Sequence, residues 1–356
     1  MNGFMRVRTL GAIASALGSA ALLLAHEVEP SRFTYERDVL PILEKHCGDC
    51  HRGGGIAPMS LLSYQQAFPW ASSIKTEVLE GRMPPWLPED GYGEFRNART
   101  LTAEEIDTLV DWASGGTPEG QPVERETAPS EVGAETKHGA PDLVLEPESA
   151  VTVGAEEFEK NVCLVLPTQL SEARRVAAFE FQPDNIAMVH DVTIRMGDRC
   201  DAGTRPVATW LPGQRLSVLP GAPAEELPAG ATLAVDIHYR KTWRDDGKAM
   251  TDKSRLGLYF EPDAATVRSL KMDGKDYELP TDFMVLAVYA SPPAAGPFEL
   301  EARYPDGHRT PLIRIRAFDP AWNAKYIFVH PLRLPRGSVL RASSPAAWVD
   351  YIPASD

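Results

Sequence analysis

The stretch Lys45–Met59, KHCGDCHRGGGIAPM, decides how the N-terminal third of the chain is read. Its centre, Cys47-Gly48-Asp49-Cys50-His51, places two thiols three positions apart with an imidazole directly after them. Thiols at that spacing can each form a thioether to a haem vinyl group, with the following histidine on the iron, and CxxCH is the attachment signature of haem c. Other uses of paired cysteines fit less well. A zinc knuckle needs a second ligand pair nearby, and a thioredoxin-like dithiol needs a βαβ setting; the flanking sequence offers neither.

Working outward, residues 31–120 read as helical. YERDVLPILEKHC carries Val39, Leu40, Ile42 and Leu43 on one stripe, with Pro41 confined to a first turn or a kink. SYQQAFPWASSIKTEVLEG repeats Ala67, Trp70, Ile74 and Val78 at a helical period and stops at Gly81. Thr102 with Glu105 forms a capping box ahead of Ile106, Leu109, Val110 and Ala113, and Gly115-Gly116 end that helix. Three helices around one CxxCH is the layout of a small class I cytochrome c. One covalent haem is therefore expected on Cys47 and Cys50, with His51 as proximal ligand.

Met59 and Met83 are the candidates for the sixth ligand; His46 adjoins Cys47 on the proximal side. Met83 is preferred because Pro84 and Pro85 stiffen the backbone after it, while Met59 reads as a core methionine. A His/Met pair raises the haem potential and suits electron transfer. In the same RMPPW stretch, Arg82 and Trp86 are candidates for the haem propionates, against the plainer reading of a surface arginine and a core tryptophan.

The N-terminus fits exported haem. Arg6 and Arg8 precede an apolar run, Leu10–Ala25, and acidic sequence follows His26. Residues 1–25 read as an export signal, with an uncleaved anchor as the other reading, although a spanning helix needs roughly 20 apolar residues. The expected location is periplasmic or exported. At 356 residues, 43% hydrophobic and 24% charged, the chain has the composition of a globular protein of more than one domain. A net charge of −14 argues against nucleic acid and anionic membrane surfaces as partners.

Residues 121–140 are rich in Glu, Ala and Pro and read as a linker. From 141 to 356 the texture changes to short runs such as RVAAFEFQP, AMVHDVTIRM, TLAVDIHYR and LIRIRAFD, separated by Pro, Gly and Asp. That pattern predicts an all-β antiparallel sandwich. Cys163 and Cys200 remain once the haem has claimed the first two cysteines, and in an oxidising compartment they are expected to pair.

The N-terminal part, with DVLPILEKHCGDCHRGGGIAPMSLLSYQQA, RMPPW and LTAEEIDTLVDWASGGTPEG, resembles bacterial cytochrome c modules. Residues 155–350, with NVCLVLPT, PDNIAMVHDV, WLPG, LPAGATLAVDIHY, DKSRLGLYF, YPDG and FDPAWNAKYIF, resemble the copper type II, ascorbate-dependent monooxygenases that include peptidylglycine and dopamine hydroxylases. The resemblance implies a pair of antiparallel sandwiches, a double jelly-roll-like fold, and two copper sites. One of those sites uses an adjacent His-His pair and a later strand histidine. Here the pair reads His190-Asp191 and the later residue is His238; a residual mononuclear copper site is one reading, and two strand histidines hydrogen-bonded within the sandwich is the preferred one. A carboxylate is a poor ligand for Cu(I). The oxygen-activating site uses a His-x-His segment, and VLAVYASPPAAGPF, residues 285–298, contains no histidine. The methionine ligand of that family has no counterpart before Asp356. His138, His308 and His330 read as surface or capping residues. No nucleophile elbow and no Gly-rich phosphate loop is present.

The leading expectation is an electron-transfer protein whose sandwich is a docking or structural module. Its partners would be redox proteins, among them a membrane respiratory or photosynthetic complex. The rival is a haem-fed copper monooxygenase acting on a small organic substrate, and a third reading is a structural subunit that merely retains its haem.

Overall fold

A computed structural model describes residues 29–124, 139–214, 216–290, 296–343 and 347–354. The expected export segment, His138 and most of the linker lie outside these residues, as do 291–295 within the histidine-free stretch. The chain folds mostly into antiparallel β-sheets with a few short helices. Among the described residues no helix is long and apolar enough to cross a membrane.

The helices follow their local chemistry. Pro41 sits in the first turn of Leu40–His46, and the chain enters that helix through a wide π-turn, Tyr35–Val39. The expected single helix over 63–81 is broken into Tyr64–Ala67, a 3-10 turn Phe68–Trp70, and Ala71–Leu79. Pro69 explains the break, since it lacks the amide that a continuous helix needs. Ala103–Ser114 starts at the expected capping box: the Glu105 amide donates to Thr102 Oγ1 at 3.2 Å, and the Thr102 amide donates to Glu105 Oε2 at 2.8 Å. Tyr35, Leu43, Leu109 and Trp112 form the fully buried centre of this cluster.

A separate helical domain over 31–120 is not evident. Residues 86–99 leave the helices as an extended arm and lie along the β region. Pro88 bridges Ile315 and Phe95 bridges Phe328. The Arg96 amide donates to Ile327 O, and the Val329 amide to Glu94 O, both at 2.8 Å. The Asn97 side chain both donates to Lys325 O and accepts from the Ile327 amide. Trp86 packs edge-on to Tyr326 with ring centres 5.5 Å apart.

The β region has two cores, each shared by two sheets. In the first, strands Leu143–Leu145, Arg255–Phe260 and Arg174–Gln182 face a four-stranded sheet of Glu159–Pro167, Thr232–Arg240, Val189–Met196 and Pro206–Trp210, in that order. Phe179, Phe181, Leu233, Ile237 and Leu256 fill the space between. In the second, the sheet containing Phe283–Ala290 and Lys325–Leu334 shares its core with the one containing Phe298–Arg303 and Arg309–Ile315. The expected alternation in LIRIRAF is shifted by a bulge opposite Leu300/Glu301, which lets both Leu312 and Ile313 be buried.

The four-stranded sheet of the first core is stapled by Cys163–Cys200, with Cα atoms 5.8 Å apart. It reaches across Thr232–Arg240, the strand between Glu159–Pro167 and Val189–Met196. A buried ion network ties the two halves. Lys325 Nζ meets Asp350 Oδ2 at 2.6 Å and donates to Val207 O at 2.7 Å. Arg205 bonds both Glu225 and Ser269, and Ser269 bonds Asp350. Removing one partner of such a buried set strands a charge and costs about 3–5 kcal/mol.

Two outcomes follow from these features. Loss of the disulfide in Cys163→Ser should lower unfolding free energy by about 4 kcal/mol, given a separation of 37 residues, as read by urea titration. Burial pushes the Glu225 carboxyl up to about 7 from 4.5, against the pull of Lys325 and with Asp350 pushing the same way. The folded state therefore holds this proton more tightly than the unfolded chain does. The resulting stabilisation is complete below about pH 4.5 and declines as the pH rises to about 7, with a slope of up to about 1.4 kcal/mol per pH unit. Glu225→Gln should flatten that slope in urea unfolding repeated across the range.

Candidate functional site

The CxxCH residues lie where the Leu40–His46 helix ends. The Cys47 amide closes the helix on Leu43 O, and the Cys50 and His51 amides both return to Cys47 O, so the segment is a tight turn. Both thiols are unbridged. Burial, then the neighbouring Cys50, pushes the Cys47 thiol up to about 12, and burial likewise raises Cys50. Thiols held protonated in this way lack the low pKa of a redox-active dithiol. Among the described residues the only convergent group of three metal-ligating side chains lies elsewhere.

His51 Nδ1 lies 3.2 Å from the Met59 carbonyl oxygen. Burial lowers the pKa of this imidazole, the carbonyl contact opposing it. A neutral ring that donates Nδ1–H to the carbonyl has Nε2 left for a metal, the usual support for an iron-ligating histidine. Met59 thus contributes through its backbone. The last glycine of the run before it has a steric cause: a side chain at Gly55 would stand 2.3 Å from Cys50 O.

These groups open onto one cavity of about 580 Å³, within the range of cofactor pockets. Cys47, Cys50, His51, Met59 and Met83 all line it, among apolar side chains such as Leu43 and Ile74. Those are the residue types that could hold a covalent haem with His/Met ligation, and the lining of the cavity around them is largely apolar. Arg82 and Trp86, the expected propionate contacts, do not line it. Arg82 pairs with Glu77 and Glu80 on the surface, and Trp86 is taken by the Phe95–Tyr326 cluster.

The β region completes the cavity wall, which the sequence alone did not reveal. His190, Trp322 and the Arg240–Trp243 segment line it. The Pro212–Gly213 turn of WLPG presses on the CxxCH turn: Arg99 donates to Pro212 O at 2.5 Å. Gly213 has φ +90°, and a Cβ there would fall 2.0 Å from Asp49 Oδ2. Burial raises the pKa of Asp49 in this contact, while Arg99 and Arg52 oppose it.

His190 is only 3% exposed. Its strand is bulged there: Val189 pairs with Tyr239 and Asp191 with His238, so His190 is the extra residue. The bulge brings His190 and Asp191, adjacent residues that a regular strand would send to opposite faces, to one place. His190 Nδ1 and His238 Nδ1 lie 2.9 and 2.8 Å from the same oxygen, Asp191 Oδ2. That hydrogen bond raises the pKa of His238, against burial. Trp322 packs on His190 with ring centres 4.4 Å apart. His308 and His330 are exposed.

No family model and no curated protein sequence matches the chain. Among solved structures, peptide:N-glycanase F is similar at 8% identity with a TM-score of 0.26, over 60% of this chain and 96% of its own. A chain from the atomic structure of Sulfolobus turreted icosahedral virus is similar at 11% identity with a TM-score of 0.15, over 65% and 100%. Likenesses at that level carry no functional argument.

The packed turn gives a direct test. Gly213→Ala should lower unfolding free energy by about 1–2 kcal/mol from the left-handed backbone alone, and further through the Asp49 clash. Urea unfolding measures it; a loss no greater than that backbone cost would mean that the two turns do not touch.

Proposed function

We propose that this chain is an exported monohaem c-type cytochrome that transfers electrons, with a β region that walls the haem site and docks redox partners. The observation that carries the reading is His51, its Nδ1 held by the Met59 carbonyl, facing a cavity that also holds two free thiols and Met83. Haem c would supply a one-electron iron couple there. The chain's own part is to hold His51 in one tautomer, present Met83 from the Pro-stiffened segment, and exclude water with apolar walls. Thioether ligation by methionine favours a high potential. The resemblance of 31–120 to cytochrome c modules, and of 155–350 to a copper monooxygenase pair of jelly rolls, supports the same arrangement. The Cys163–Cys200 disulfide suits an oxidising location.

The copper monooxygenase alternative has less support. Val285, Leu286, Ala287 and Val288, where that family's oxygen site would begin, are all fully buried core residues. Residues 285–298 contain no histidine in any case.

The holoprotein should show a low-spin His/Met spectrum. Met83→Ala should abolish the methionine-to-iron charge-transfer band and lower the reduction potential, while the haem stays covalently attached. An unaltered spectrum in that variant would remove Met83 as the ligand.

A further inference from the structure

The His190–Asp191–His238 group calls for a different ion from the copper implied by the resemblance. One nitrogen from each histidine and one Asp191 oxygen lie within 4.8 Å of one another. Ligand atoms at ~2.0–2.1 Å from a tetrahedral ion stand roughly 3.3–3.4 Å apart, so small side-chain rotations bring all three onto one centre. The backbone is already set: the bulge at His190 aims it beside Asp191, and Asp191 is paired directly opposite His238. His190 is fixed by Trp322 on its face, while the Asp191 and His238 side chains keep 16% and 15% exposure, which leaves a way in for an ion.

We propose that His190, Asp191 and His238 form a seat for one divalent ion of borderline hardness, Zn(II) or Fe(II), and not for Cu(I). Imidazoles accept either kind of ion, so the third ligand decides. A carboxylate oxygen is hard, whereas Cu(I) is held by soft donors. Two imidazoles and one carboxylate with the remaining positions open is the donor set of non-haem Fe(II) and of three-ligand zinc centres. Because His190 also lines the cavity beside the CxxCH turn, the ion would sit in the wall of that cavity. The seat is independent of the haem reading, since its ligands are complete without it.

The full chain carrying Cys47→Ser and Cys50→Ser, so that the two free thiols do not compete for soft ions, is dialysed against a chelator and titrated with Zn(II) by calorimetry and, anaerobically, with Fe(II) and with Cu(I). Cu(II) is left out because it outranks the other divalent ions at nearly any nitrogen–oxygen site. The expected result is one Zn(II) or Fe(II) per chain, Cu(I) held no more tightly than either, and a loss of roughly a hundredfold or more in Zn(II) affinity in the isosteric Asp191→Asn. Should that variant fail to fold, His238→Gln reads the same loss. Absence of stoichiometric Zn(II) and Fe(II), an Asp191→Asn protein that holds Zn(II) as tightly as the parent, or a parent that prefers Cu(I) overturns the proposal.

Discussion

The docking of the 86–99 arm onto the β region is the contact on which the site depends. It spends the backbone groups of Glu89, Glu94 and Arg96 and the side-chain amide of Asn97 on strands near the C-terminus, and buries Phe95 among Tyr326 and Phe328. Without it the helical cluster would present the CxxCH turn to solvent. With it, that turn is pressed against Gly213, and His190 and Trp322 become part of the same cavity. The helical and β parts therefore share one site.

That sharing explains the use of buried charge elsewhere. Two sandwich cores and a helical cluster must hold a fixed arrangement if the cavity is to keep its shape. Apolar contacts alone specify such an arrangement loosely, whereas the chain Glu225–Arg205–Ser269–Asp350–Lys325 allows one register between the halves. The cost is sensitivity to whichever member loses its proton balance, which here is Glu225.

Much of this was legible in the residues. CxxCH, the capping box at Thr102 and the β texture after 141 are local patterns, and each is found where its local chemistry places it. The Cys163–Cys200 pair followed from having no other partner. What stayed hidden depends on long-range pairing. RMPPW, read locally, offered Arg82 and Trp86 to a haem, but Trp86 belongs to an aromatic cluster built with residues more than two hundred positions away. Alternation separates His190 from Asp191, and only the two-against-one pairing with the Thr232–Arg240 strand reunites them. The sulfur of Met59 is what the sequence displays, while its carbonyl is what holds His51, and a backbone role leaves no mark on residue type. Pro69, by contrast, marks the break in the 63–81 helix within the sequence itself.

Peptide mass analysis of the non-reduced protein reads the proposed covalent haem at its attachment point. The peptide containing residues 45–59 should carry one haem through thioethers at both Cys47 and Cys50. Recovery of that peptide with two free thiols, or with a Cys47–Cys50 disulfide, would contradict it.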